Sequence, residues 1–178
     1  MSEERSKRKN NNIVKPRAYT SEKIHLNIRD LESEFYRADL VFHGLDHAVP
    51  SYEGRIFINN PEANYDTPID SEHGYVGSYF VFGHGSCLGD AGHCDVHAES
   101  QKFDVIPNPL QPYDLSVIIT DKLKELGKTT EDFTITVIPK VVPPPRVGEE
   151  EIDLENIVKI DKVTIETYDK EGAEEEDG

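Results

Sequence analysis

Short alternations of apolar and polar residues recur along the chain, the period expected of half-buried strands. The clearest is DFTITVIP, where Phe133, Ile135 and Val137 are separated by two threonines. Ile24, Leu26 and Ile28 alternate with His25 and Asn27, predicting a strand with His25 outward. Leu40 and Phe42 alternate with Val41 and His43 in a second strand that ends at Gly44. Further strands are predicted at Arg55–Asn59, at Tyr75–Phe82, at Tyr113–Ile119 and over Ile157–Tyr168, the last with a bend at Asp161-Lys162. One short helix, Asp121–Leu126, is predicted, with Thr120 as its cap and Gly127 as its stop. KFDVIPNPLQP reads as an edge or a connector, because proline cannot donate to a central ladder, and VVPPPRVGEEE as a stiff, proline-rich connector.

Seven or eight short strands, one helix and turn residues between them predict an all-β chain, an antiparallel β-sandwich with one short helix. The expected core face holds Leu40, Phe42, Ile56, Ile58, Tyr79, Val81, Val117, Ile119, Phe133, Ile135 and Val137. Outside that pattern, residues 1–21 read as a disordered basic arm, with six Lys/Arg against two Glu by residue 17. Residues 169–178 read as an acidic disordered tail, leaving 22–168 as one sandwich domain.

Charge then excludes two classes of partner. A net charge of -16 repels nucleic acid and anionic membrane surfaces. No apolar run approaches the roughly 20 residues needed to span a bilayer, and no hydrophobic segment follows the charged N-terminus. The expectation is a soluble, cytoplasmic protein whose two cysteines are thiols or metal ligands more often than a disulfide.

The candidate chemistry is concentrated in Gly74–Glu99, which holds Cys87, Cys94, His84, His93 and His97. Its first part favours a strand and its glycine-rich second part a loop. In an extended HCDVH segment, His93, Asp95 and His97 point to one side and Cys94 to the other. With His84 or His47 completing the set, imidazole and thiolate suit copper or zinc. A narrower reading is a blue-copper site, with Cys94-x-x-His97, Gln101 as weak axial ligand and His43 or His47 upstream. Against it, about 80 residues follow the motif instead of one strand, and Met1 is the only methionine. A third reading pairs Cys87 with Cys94. Closing that eight-residue loop stabilises by about 2.5 kcal/mol in the chain-entropy picture and removes both sulfurs as ligands. The bland alternative is an ordinary polar loop. There is no nucleophile elbow and no HExxH, and Asp70, Glu72, Asp90 and Asp95 are too common a residue type to select an acid–base pair. Hydrolase chemistry has no support from the sequence.

The succession GRIFINNPEANYDTP, GYVGSYFVFGH, LSVIITDKLKELG, DFTITVIPKV and IVKIDKVTIETYD resembles the C-terminal domain of tyrosinases and plant polyphenol oxidases. The likeness covers roughly residues 38–168. A literal KFDV at Lys102–Val105 falls after the glycine-serine strand, where the family pattern has it before, so the counterpart here is Gly54–Asn59. The resemblance implies a free-standing β-sandwich that accompanies a type-3 copper enzyme without performing the oxidation. The family's six copper-binding histidines sit on a helical bundle, and the sequence offers no such helices. The expectation is therefore a non-catalytic accessory module, open to copper and less so to zinc, docking on a type-3 copper oxidase or supplying it with metal. Two alternatives stand beside it: a small mononuclear copper or zinc protein with its own redox or catalytic role, and a structural interaction domain without metal.

Overall fold

The computed structural model describes residues 16–27, 35–83, 111–141 and 155–169. Nine strands follow in chain order among them: β1 (Tyr19–Thr20), β2 (Ile24–His25), β3 (Arg37–Leu45), β4 (Tyr52–Ile58), β5 (Tyr75–Val81), β6 (Tyr113–Ile118), β7 (Asp132–Phe133), β8 (Ile135–Val141) and β9 (Lys162–Tyr168). A 3-10 turn, Ser71–His73, precedes β5, and one α-helix, α1 (Thr120–Leu126), follows β6.

All pairings are antiparallel. One sheet runs β1-β8-β4-β5, a second β6-β3-β9, and β2 with β7 forms a two-stranded ribbon. The two larger sheets face each other across the main apolar core, the β-sandwich expected from the alternation, and a smaller cluster of Phe57, Ala63 and Ile138 lies apart from it. Leu40 and Phe42 enter it from β3, Ile56 and Ile58 from β4, Tyr79 and Val81 from β5, and Ile135 and Val137 from β8. Full burial of each such side chain contributes about 1.5–3 kcal/mol. Of the expected core face only Val117 is half-buried, because β6 is the edge strand of its sheet. No helix among the described residues is long and apolar enough to cross a membrane.

Several boundaries differ from the sequence expectation, each for a tertiary reason. Tyr19–Thr20, placed in the basic arm, pair with Val137 and Thr136 of β8, so ordered chain begins before residue 22. Val41, expected to alternate outward, is only 5% exposed, because on the central strand it sits between Ser116 of β6 and Thr164 of β9. Thr120 does not cap the helix. It is the first helical residue, and its Oγ1 accepts from the Ala38 N–H at 3.0 Å, tying α1 to β3. Gly127 stays right-handed while its N–H donates to the Leu123 carbonyl.

The predicted Phe133–Val137 strand is split at Thr134, whose backbone Asn59 engages twice. Asn59 N–H donates to the Thr134 carbonyl at 2.8 Å, and Asn59 Oδ1 accepts from the Thr134 N–H at 2.9 Å. The expected bend at Asp161 is present: Asp161 N–H donates to the His43 carbonyl at 3.0 Å, and its carboxylate lies against Gly44. Gly44 has φ 62°, a left-handed position that leaves no room for a Cβ beside Asp161. The outer ends of the two expected tails, residues 1–15 and 170–178, lie outside the described residues.

Candidate functional site

The Cys/His segment is attached at one end of the sandwich. β5 ends with Val81 opposite Tyr52, and β6 begins with Tyr113 opposite Leu45. The connection between β3 and β4, residues 46–51, touches both attachment points. Gly83 N–H donates to Ser51 Oγ at 3.0 Å, and the glycine packs so tightly on the Val49 carbonyl and Pro50 that no side chain fits. His47, from the same connection, stands edge-on to Tyr113 with ring centroids 5.3 Å apart. Gly83 and Tyr113, on either side of residues 84–110, thus both touch the connection between β3 and β4.

Aromatic rings continue from this end into the core. Tyr52 and Tyr79 stack edge-to-face at 5.9 Å with hydroxyls 3.4 Å apart, and Tyr79 meets Phe42 at 5.1 Å. Burial pushes the Tyr52 hydroxyl up to about 12, against a smaller opposing effect of its hydrogen bond to Tyr79. Burial, with Tyr52 beside it, raises Tyr79 further still. Both remain neutral hydroxyls, suited to a mutual hydrogen bond and not to proton transfer near neutral pH.

The residues singled out from the sequence fare differently. His84, Cys87, His93, Cys94, His97 and Gln101 lie outside the described residues. His47 is placed at the end of the sandwich where that segment is attached. His43, the other upstream imidazole considered, has both ring nitrogens engaged. Nδ1 lies 2.9 Å from Asp114 Oδ2, and Nε2 lies 2.8 Å from Thr164 Oγ1. A copper ligand at His43 would have to break one of these bonds. Among the described residues no group of three His, Cys, Asp or Glu side chains is arranged to hold a metal ion.

The Asp114–His43–Thr164 chain was not visible in the sequence. It spans the solvent side of the three-stranded sheet, one residue from each strand. Asp114 is held below the usual carboxylate range first by the Gly44 N–H, at 3.0 Å from Oδ1, and then by His43. The only sequence signal was outward alternation in β3, β6 and β9. The register that brings the three together is a property of the sheet.

No known family profile matches the chain, and no curated protein matches it. Among solved structures, it is similar to a recombinantly expressed latent aurone synthase (polyphenol oxidase), at 11% sequence identity and a TM-score of 0.47. That alignment covers 86% of this chain and 24% of the other. Latent aurone synthase (polyphenol oxidase) from natural source is similar at 12% identity and a TM-score of 0.45, covering 87% of this chain and 26% of that one. The chain therefore spans about a quarter of the length of these structures.

Two further features complete the surface. Phe80 and Phe82 are 72% and 81% exposed, at the end of β5 that leads into Gly83. β5 is an edge strand, with no further strand hydrogen-bonded to its outer side among the described residues.

Proposed function

We propose that the chain is an accessory module that docks on a type-3 copper oxidase and does not itself carry out the oxidation. Two things support this reading: an order of strand and helix motifs that resembles the tyrosinase C-terminal domain, and the exposed phenylalanines at the end of β5. The phenylalanines carry the argument for docking. Phe80, near the end of β5, and Phe82, one residue past that end, are both largely exposed. Large exposed aromatics beside a sheet edge that is unpaired among the described residues suit an interaction surface, and burying each would contribute about 1.5–3 kcal/mol. Aromatic anchors of this kind dominate interface energetics, and the edge backbone adds hydrogen-bonding groups.

On this reading, copper (or zinc) is carried by His84, His93, Cys94 and His97, with His47 as the donor contributed by the sandwich. His47 fits that role in position, since it lies beside an attachment point of the segment bearing the other four. Imidazole and thiolate together favour copper or zinc over harder ions. A bound metal would be passed to the partner enzyme or held close to it.

The test uses the full chain and a purified polyphenol oxidase catalytic domain lacking its own β-sandwich. Saturable binding by calorimetry, with a change in diphenol oxidation rate, is expected. F80S/F82S should weaken binding at least about tenfold while leaving the melting temperature in place. Absence of association at high micromolar concentrations, or equal binding by the double variant, would overturn the docking surface.

A further inference from the structure

We propose that Thr164, His43 and Asp114 form an acyl-transfer site that hydrolyses small activated carboxylic esters. The inference goes beyond the docking role and does not depend on it.

The three groups are in the order required for nucleophilic catalysis by a hydroxyl. Asp114 Oδ2 is 2.9 Å from His43 Nδ1, and His43 Nε2 is 2.8 Å from Thr164 Oγ1. One tautomer satisfies both contacts: a neutral ring donating Nδ1–H to the carboxylate and accepting the threonine proton at Nε2. In that tautomer the imidazole is a general base aimed at the nucleophile, and Asp114 fixes its orientation. Asp114 is itself fixed, because its other oxygen accepts the Gly44 N–H at 3.0 Å. Each member belongs to a different strand of one sheet, so the geometry is set by the register and not by a loop. The site is reachable from solvent. The His43 side chain is 31% exposed and that of Asp114 61%, while Thr164 is half-buried.

The step follows from these contacts. Thr164 Oγ1 attacks the ester carbonyl carbon as its proton passes to His43 Nε2. The tetrahedral intermediate then expels the alcohol, which takes that proton, leaving Thr164 acylated. Water, deprotonated by the same nitrogen, attacks the acyl-threonine, releases the carboxylic acid and restores the hydroxyl. Lys162 lies directly opposite His43 in the register and two residues before Thr164, on the same face of β9. The register thus puts a cationic side chain on the face where the oxyanion would develop. Among the described residues nothing encloses a leaving group on this face, which favours aryl esters of small acids over amides.

The experiment is hydrolysis of 4-nitrophenyl acetate by the full chain, with acid quench and peptide mass analysis. Acetyl on the peptide bearing Thr164 is expected, at its hydroxyl. Thr164→Val and His43→Gln should each lower the rate about 10²-fold, and Thr164→Ser should retain or raise it. Asp114→Asn, which lets the ring adopt the other tautomer, should lower the rate while Thr164 stays acylable. Two results would overturn the proposal. One is a parent rate no greater than that of Thr164→Val. The other is acetyl found on lysine and absent from Thr164 in the parent chain, a measurement that does not depend on any variant folding.

Discussion

The Tyr79 ring packs against Gly54 of the neighbouring strand, so close that a Cβ at position 54 would meet the ring carbons. This contact lets the Tyr79 hydroxyl reach across to Tyr52 inside an otherwise apolar core. Gly54→Ala should therefore displace the ring and cost about 1–3 kcal/mol by overpacking. Denaturant melts of the parent and the variant provide the measurement. A shift in midpoint below the experimental error would show that the ring has room to move.

The two tyrosine hydroxyls predict a non-additive pair. Tyr79→Phe leaves the Tyr52 hydroxyl buried without its partner and should cost about 1–3 kcal/mol. Tyr52→Phe should do the same to Tyr79. The double variant removes both hydroxyls and should be more stable than the sum of the singles implies. A double-mutant cycle by chemical denaturation gives a coupling energy, and a value near zero would contradict the mutual hydrogen bond.

Ile135 is fully buried in β8, with the core cluster around it. Ile135→Asp places an unpaired charge there and should leave the domain unfolded at room temperature. Circular dichroism and thermal melting decide. An unchanged, soluble and cooperative fold would mean that the strand register is wrong.

Acid should weaken the fold through three carboxylates. Asp70, Asp114 and Asp132 are all held below their ordinary values, by His73, by the Gly44 N–H with His43, and by His25 with Lys23 respectively. A carboxylate depressed in the folded state adds stability above its unfolded pKa of about 3.9, and that stability is lost as pH falls through the folded value. Melting temperature should thus be level near neutrality and decline below about pH 4. Replacing Asp132 by Asn should flatten part of that decline. An identical acid limb in D132N would remove Asp132 from the account.

For the metal, removing His93 and His97 together should abolish stoichiometric copper or zinc binding. Protein purified without added metal, then titrated and analysed by elemental spectrometry, provides the reading. An intense blue copper(II) complex lost in Cys94→Ser would point to thiolate ligation. Weakly coloured binding with both thiols unreactive would point to histidine ligation beside a Cys87–Cys94 disulfide. Titrations indistinguishable from the parent in the double-histidine variant would remove the site.

Local residue patterning was enough to specify the class of fold and most of the core. Alternation with a period of two is a local property of the strand, so Leu40, Phe42, Ile56, Ile58, Phe133, Ile135 and Val137 were legible as inward residues. Helix α1 was legible within one residue for the same local reason. Tertiary structure alone decided what depends on two strands at once. Val41 is buried because β3 is central, and Thr134 interrupts a strand because Asn59 takes its N–H. Tyr19–Thr20 become ordered because β8 offers a free edge. The same holds for chemistry. His43 drew attention as a histidine near a strand end, but its partners lie 71 and 121 residues away. Register between β3, β6 and β9 brings those groups within hydrogen-bond distance, and register is set by the packed sheet as a whole, not by any one strand's alternation.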